Sequence, residues 1–244
     1  MSGCGPAFRH AARPFDMRRE APRLVESARR AMIAYEPPAR VFELWEARRP
    51  VLIESPRGTG RAYMYTDGDT THLCIRGTAT AKDVLTDIDT VMHRVKDDVY
   101  IHGGFLDEFM SMETQITAAI GPNVTTLHIS AHSLGAAVGQ IAAAHYGERA
   151  LRTVCHTIGC PRTGDAGFVG WFEKNVHENY RIANRRDPVP MVPAGGSWAH
   201  TMDRCILLGD ERFWTPTHDV HYSDVRLEAH DARAYIDALS RWIT

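Results

Sequence analysis

The chain of 244 residues lacks any apolar run near the roughly 18 residues of a bilayer-spanning helix, so no stable membrane span is expected. It also lacks an excess of either charge. The 28 Lys and Arg stand against 30 Asp and Glu, a net charge of −2, and nothing global draws nucleic acid or an anionic surface. Its five cysteines are odd in number and form no CxxC pair, which argues against a disulfide scaffold and for reduced thiols buried in strands. No HExxH or similar ligand spacing occurs, so neither a metal nor a cofactor is expected. The opening residues, MSGCGPAFRHAARPF, carry no apolar signal core, which reads as a cytoplasmic protein. Repeats, low-complexity tracts and linkers are missing too. The chain reads as one domain over residues 1–244, with 1–35 an N-terminal helical packing segment.

What is there is an alternation of short apolar strands and amphipathic helices. Leu24, Ala28, Ala31 or Met32 and Tyr35 recur at three-to-four spacing, which predicts a helix over 17–35 with an Arg-rich outer face. Runs at 50–55, 61–66 and 71–76, parted by Ser-Pro-Arg-Gly and Asp-Gly, predict three strands. A helix is expected over 81–95, then a strand running from 97 into the glycine pair Gly103-Gly104, then a helix to residue 120 stopped by Gly121-Pro122. Strands at 125–130, 151–159 and 179–184 alternate with helices at 134–146 and 165–176, and a last helix follows residue 231. Strands separated by helices need crossover connections, so a mostly parallel sheet with helices on both faces is expected, the early strands forming an antiparallel extension.

Within that alternation, HISAHSLGAA (128–137) sets Ser133 on a sharp turn between a strand and a helix. Such a turn requires small neighbours two residues either side, here Ala131 and Gly135. It holds Oγ above the sheet beside a helix N-terminus and lets the Leu134 N–H point at an oxyanion. A serine that merely caps a core helix would look similar on this segment alone. A nucleophile also needs a base and an orienting acid. Asp187, in RRDPVPMVP just past a strand end, is the candidate acid, with Asp165 and Asp203 in less suitable settings.

Five blocks in order resemble the class 3, fungal-type lipases of the α/β-hydrolase fold: IRGTATAKDVLTDI (75–88), HGGF (102–105), HISAHSLGAA (128–137), GCPRTGD (159–165) and YRIANRRDPVPMVP (180–193). Ala131 departs from that family's GHSLGGA glycine, and Val84 from its tryptophan. The resemblance implies an α/β-hydrolase fold and a serine carboxylic-ester hydrolase, a lipase or esterase acting through an acyl-enzyme. It also implies an oxyanion hole from Thr78 and Leu134, and a short lid, here residues 79–95. A lipid or small-molecule ester would be the partner, met through transient contact with a lipid surface. Phospholipase A1 activity, acyl transfer with the same triad, or a silent lipase-like binding module are the alternatives.

Four histidines follow Asp187, namely His200, His218, His221 and His230. His102, His132 and His200 read as structural. His230 lies at a loop-to-helix junction with Tyr235 to anchor the helix, which suits a base, and His218, in HDVHY, is its rival. Ser133, Asp187 and His230 are thus the expected triad. The missing tryptophan in the lid region leans the acyl preference toward short and medium chains.

Overall fold

The computed structural model describes residues 16–56, 59–77, 91–201, 204–209 and 224–243. Nine strands are seen among them. Seven form one sheet in the order β1 (Val51–Glu54), β2 (Arg61–Asp67), β3 (Thr70–Ile75), β6 (Thr126–His132), β7 (Arg152–Ile158), β8 (Glu178–Asn184), β9 (Cys205–Leu208). From β3 to β9 every neighbouring pair is parallel, while β1, β2 and β3 pair antiparallel. A mostly parallel sheet with an antiparallel extension is therefore what the alternation encodes.

Helices cover both faces because the strands bury both sets of alternate side chains. On one face Leu73 and Ile75 of β3 and Leu127, Ile129 and Ala131 of β6 pack with α3 (Gly103–Ala119), α4 (Leu134–Glu148) and α5 (Ala166–Asn175). On the other face α1 (Met17–Ile33) and α6 (Ala232–Ser240) bury Leu24, Val25, Tyr235 and Leu239 against Ile158, Tyr180, Ile182 and Ile206. A third cluster sets Val41 of α2 (Pro38–Leu44) and Trp45 against Tyr63 and Tyr65, the β2 residues that alternate with the inward Ala62 and Met64.

Beneath α1, strands β3, β6 and β7 each carry a histidine: His72, His128 and His156. Arg30 Nη1 donates to Nδ1 of His72 and of His128 at 3.0 and 3.1 Å. An arginine can only donate, so a neutral ring that receives it does so on Nδ1; the two Nδ1 atoms also stand 3.2 Å apart and share that guanidinium. His128 Nε2 is then the donor to His156 Nδ1 at 3.3 Å, which also meets Ser27 Oγ at 2.8 Å. His156 Nε2 in turn donates to Glu178 Oε1 at 3.3 Å. The neutral state follows from burial, which lowers His72 to about 4 and His128 to about 2 and also depresses His156. Burial opposes ionisation of Glu178, yet the His156 hydrogen bond and Arg23 outweigh it and bring that carboxyl to about 2.

One local expectation changes. Residues 92–96, expected to be helical, form a strand instead: Met92–Lys96 is β4, paired antiparallel with β5 (Val99–His102) apart from the main sheet, while the rest of the helix expected over 81–95 lies outside the described residues up to 90. The Asp97-Asp98 turn, with Asp98 at φ 59°, folds the chain back, and strand pairing overrides the helical spacing of the preceding residues. Residues 78–90 lie outside the described residues. Strand β9 is four apolar residues with no periodicity of their own, placed by their pairing with β8. The four described cysteines are free and buried, with burial pushing Cys74 and Cys160 up to about 12.

Candidate active site

Strand β6 runs straight into Ser133, whose φ of 61° lies in the left-handed region, and α4 starts at the next residue. So abrupt a turn brings the start of α4 against the end of β3. A Cβ at Gly135 would collide with the Arg76 carbonyl and sit 2.9 Å from the Ile75 oxygen. Gly139, one turn further, lets the helix approach β6. A Cβ there would lie 3.1 Å from that of Ala131, so the methyl that replaces the family glycine fits because residue 139 has none. The Ser133 N–H donates to the Ile158 carbonyl at 2.9 Å, tying the turn to β7.

Asp187 lies past the end of β8 and is wholly buried. Oδ1 accepts the Val189 N–H at 2.8 Å, and Oδ2 accepts from His230 Nδ1 at 2.7 Å and from the Tyr235 hydroxyl at 2.5 Å. Three donors offset the desolvation of a buried carboxylate. His230 ends a short 3-10 turn, Leu227–His230, immediately before α6, whose first turn is capped by Asp231. The Nδ1 bond to Asp187 fixes the tautomer, so the Nε2 lone pair faces Ser133 Oγ, 2.7 Å away. Ser133, His230 and Asp187, 97 and 43 residues apart along the chain, thus form one continuous hydrogen-bonded line.

The loops that carry Asp187 and His230 are fastened to each other. Asn184 donates from Nδ2 to the Ala229 carbonyl at 3.2 Å, and its N–H donates to the Tyr235 hydroxyl at 3.0 Å. Gly159, at φ 58°, leaves the room in which they meet: a Cβ there would stand 2.9 Å from Asp187 Oδ2 and 3.0 Å from His230 Nδ1. Sequence reasoning quoted Gly159 within a motif without seeing this cause. The signal, a lone glycine directly after a parallel strand, was present.

The remaining candidates sort by position. Leu134 is the first residue of α4, so its N–H has no partner within the helix and lies beside Ser133. Thr78, His218 and His221 lie outside the described residues, as does Asp203. Asp165 caps α5, Oδ1 accepting the Phe168 N–H at 2.8 Å. His200 is buried and donates from Nε2 to the Pro190 carbonyl at 2.7 Å, and His102 stacks on Phe105 with ring centroids 4.1 Å apart. His132 is buried beneath His230, ring centroids 4.6 Å apart, and burial with the neighbouring His230 brings it down to about 3. A cavity of about 520 Å³ opens beside the line, with His132, His230 and Tyr35 in its wall. Among the described residues no cluster of metal-ligating side chains occurs, and no helix is long and apolar enough to cross a membrane.

A parallel sheet carrying a strand-turn-helix serine, a carboxylate after a later strand and a histidine before the last helix defines an α/β-hydrolase with a Ser-His-Asp line. The model of the family Lipase (class 3) matches residues 72–196, and the chain belongs to that family. It is 31% identical over 98 residues to the secreted mono- and diacylglycerol lipase 1 of Fusarium solani. That match covers 38% of this chain and spans 29% of the length of the relative. Among solved structures it superposes on the triacylglyceride lipase of Rhizomucor miehei with a TM-score of 0.68, at 20% identity over 79% of this chain and 81% of that one. A triacylglycerol lipase described as having a serine protease triad for its catalytic centre gives 0.72, at 18% identity over 87% and 93%. At those identities the likeness is one of fold.

Proposed function

We propose that this chain hydrolyses carboxylic esters of lipids through an acyl-enzyme formed on Ser133. The observation that carries the reading is His230 standing 2.7 Å from both Ser133 Oγ and Asp187 Oδ2. His230 Nε2 takes the hydroxyl proton as Oγ attacks the acyl carbonyl. Asp187 holds the ring and stabilises the imidazolium. The Leu134 N–H and a donor from Thr78 meet the oxyanion, each worth about 10²–10³ in turnover. The tetrahedral intermediate collapses as His230 returns the proton to the leaving alcohol. Water, deprotonated by the same ring, then attacks the acyl carbon, and the acid leaves as the acyl–Oγ bond breaks and His230 returns the proton to Ser133 Oγ.

Acylglycerols are the substrate class that family membership supports, and the relative named above is a mono- and diacylglycerol lipase. Short- and medium-chain esters are the preferred members, since Val84 stands where the family lid carries tryptophan. The test is turnover of p-nitrophenyl esters from acetate to palmitate, and of tributyrin against emulsified triolein, with Ser133→Ala alongside. Loss of turnover by orders of magnitude in Ser133→Ala is expected, with an optimum near butyrate to octanoate. Wild-type turnover no higher than that of Ser133→Ala would overturn the enzyme reading, and faster cleavage of triolein would overturn the chain-length preference.

A further inference from the structure

One phenol outside every family block touches both halves of the site. Tyr35 lies just past the end of α1. Its hydroxyl accepts the Gly77 N–H at 2.8 Å and lies 2.8 Å from His132 Nδ1, while His132 Nε2 lies 2.8 Å from the His230 carbonyl oxygen. Those contacts admit one order of protons. A carbonyl only accepts, so His132 carries its hydrogen on Nε2. Nδ1 of the neutral ring is then an acceptor, and the Tyr35 hydroxyl donates to it. Its remaining lone pair receives the Gly77 N–H. Burial keeps both groups uncharged, raising the Tyr35 phenol above its ordinary value and lowering His132.

The hydroxyl also sits where the chain passes the nucleophile. A Cβ at Gly77 would lie 2.6 Å from Ser133 Cβ and 2.7 Å from Tyr35 Oη. The chain leaving β3 is therefore pinned between the serine and the phenol, at the residue immediately before Thr78. At the other end, His132 grips the backbone of His230 and also lies beneath its ring.

We propose that Tyr35 is a positioning residue, whose single hydroxyl holds the oxyanion turn at Gly77 and, through His132, the backbone of the base His230. The proposal rests on the reading of Ser133, His230 and Thr78 given above. A hydroxyl that only fills space would cost stability when removed and leave each folded molecule as active as before. One that aligns donor and base acts when the tetrahedral oxyanion forms, so its loss lowers kcat and leaves KM in place.

The experiment is full-length Tyr35→Phe assayed on p-nitrophenyl butyrate, with active sites counted by a fluorophosphonate and with inhibition by butylboronic acid, a tetrahedral mimic. A fall in kcat of about tenfold is expected, equivalent to one lost hydrogen bond, with KM within about twofold and the boronate Ki raised by the factor lost from kcat. An unchanged kcat per titrated site, or a boronate Ki equal to that of the wild type, overturns the proposal. Should Ser133→Ala match the wild type, the triad reading fails instead. If Tyr35→Phe does not fold, His132→Asn tests the same chain, since its amide can still meet Tyr35 but cannot reach the His230 carbonyl. A lowered kcat at constant KM supports the proposal there, and wild-type kcat refutes it.

Discussion

Mild acid should destabilise this protein before its carboxylates titrate. In the unfolded chain a histidine takes up a proton near its ordinary value of 6.5, whereas in the fold His128 is held to about 2 and His132 to about 3. Burial is the first cause for both. His156, His72 and Arg30 add to it at His128, and His230 adds to it at His132. The unfolded state binds more protons across this window, so stability rises with pH. It is complete above about pH 6.5, declines as pH falls below that, and levels off only under the folded values. At pH 5 each of these two histidines removes about 2 kcal/mol, about 4 together, from a total that for most domains is about 5–15 kcal/mol. His72, lowered to about 4 and half-buried like His128, titrates in the same window and adds to the loss. Glu178 changes charge only below the ordinary carboxyl value, outside the window. The assay is urea unfolding followed by tryptophan fluorescence at pH 7.5, 6.5, 5.5 and 5.0. His128→Gln keeps a donor and an acceptor without a titrating ring, and should flatten the profile by about 2 kcal/mol. A free energy constant to within about 1 kcal/mol from pH 7 to 5 would show that the fold does not enforce neutral histidines, and the reasoning would fall.

Two further substitutions probe the serine turn itself. Ser133→Gly should abolish ester cleavage yet raise stability by about 1 kcal/mol, because a φ of 61° suits glycine better than serine. A lowered urea midpoint would contradict it. Gly135→Ala should cost about 1–3 kcal/mol, since its methyl meets backbone rather than a yielding side chain. An unaltered midpoint would mean that α4 and β3 do not touch.

The parallel sheet and the serine turn were legible because both have local signatures. TTLHIS followed by small residues and a helix states its own geometry, and Asp187 follows the next strand but one, at the end where such sheets build sites. His230 could be preferred over His218 from its place before α6, but its 2.7 Å approach to Ser133 depends on how 97 intervening residues fold. Tyr35 was visible only as one apolar step in a helical stripe. Its role comes from the lie of α1 across the sheet, which no short segment records. The same is true of His72, His128 and His156. Each is a single alternate residue in its own strand, and they become a row only when β3, β6 and β7 align. Strand β4 was misread because Met92–Lys96 owes its form to its partner β5, and pairing of this kind competes with local spacing.

The turn at Ser133 is set mainly by residues close together in sequence, but His230 arrives with the last helix and Tyr35 with the first. Closing so long a loop adds only logarithmically to the entropic cost, yet it places the decisive contact late in folding. A chain whose last helix has not yet docked on the sheet therefore has a serine without a base. On the mechanism proposed above, hydrolytic capacity waits on that one long-range contact. Lipids that meet the unfinished chain are met by an ordinary alcohol.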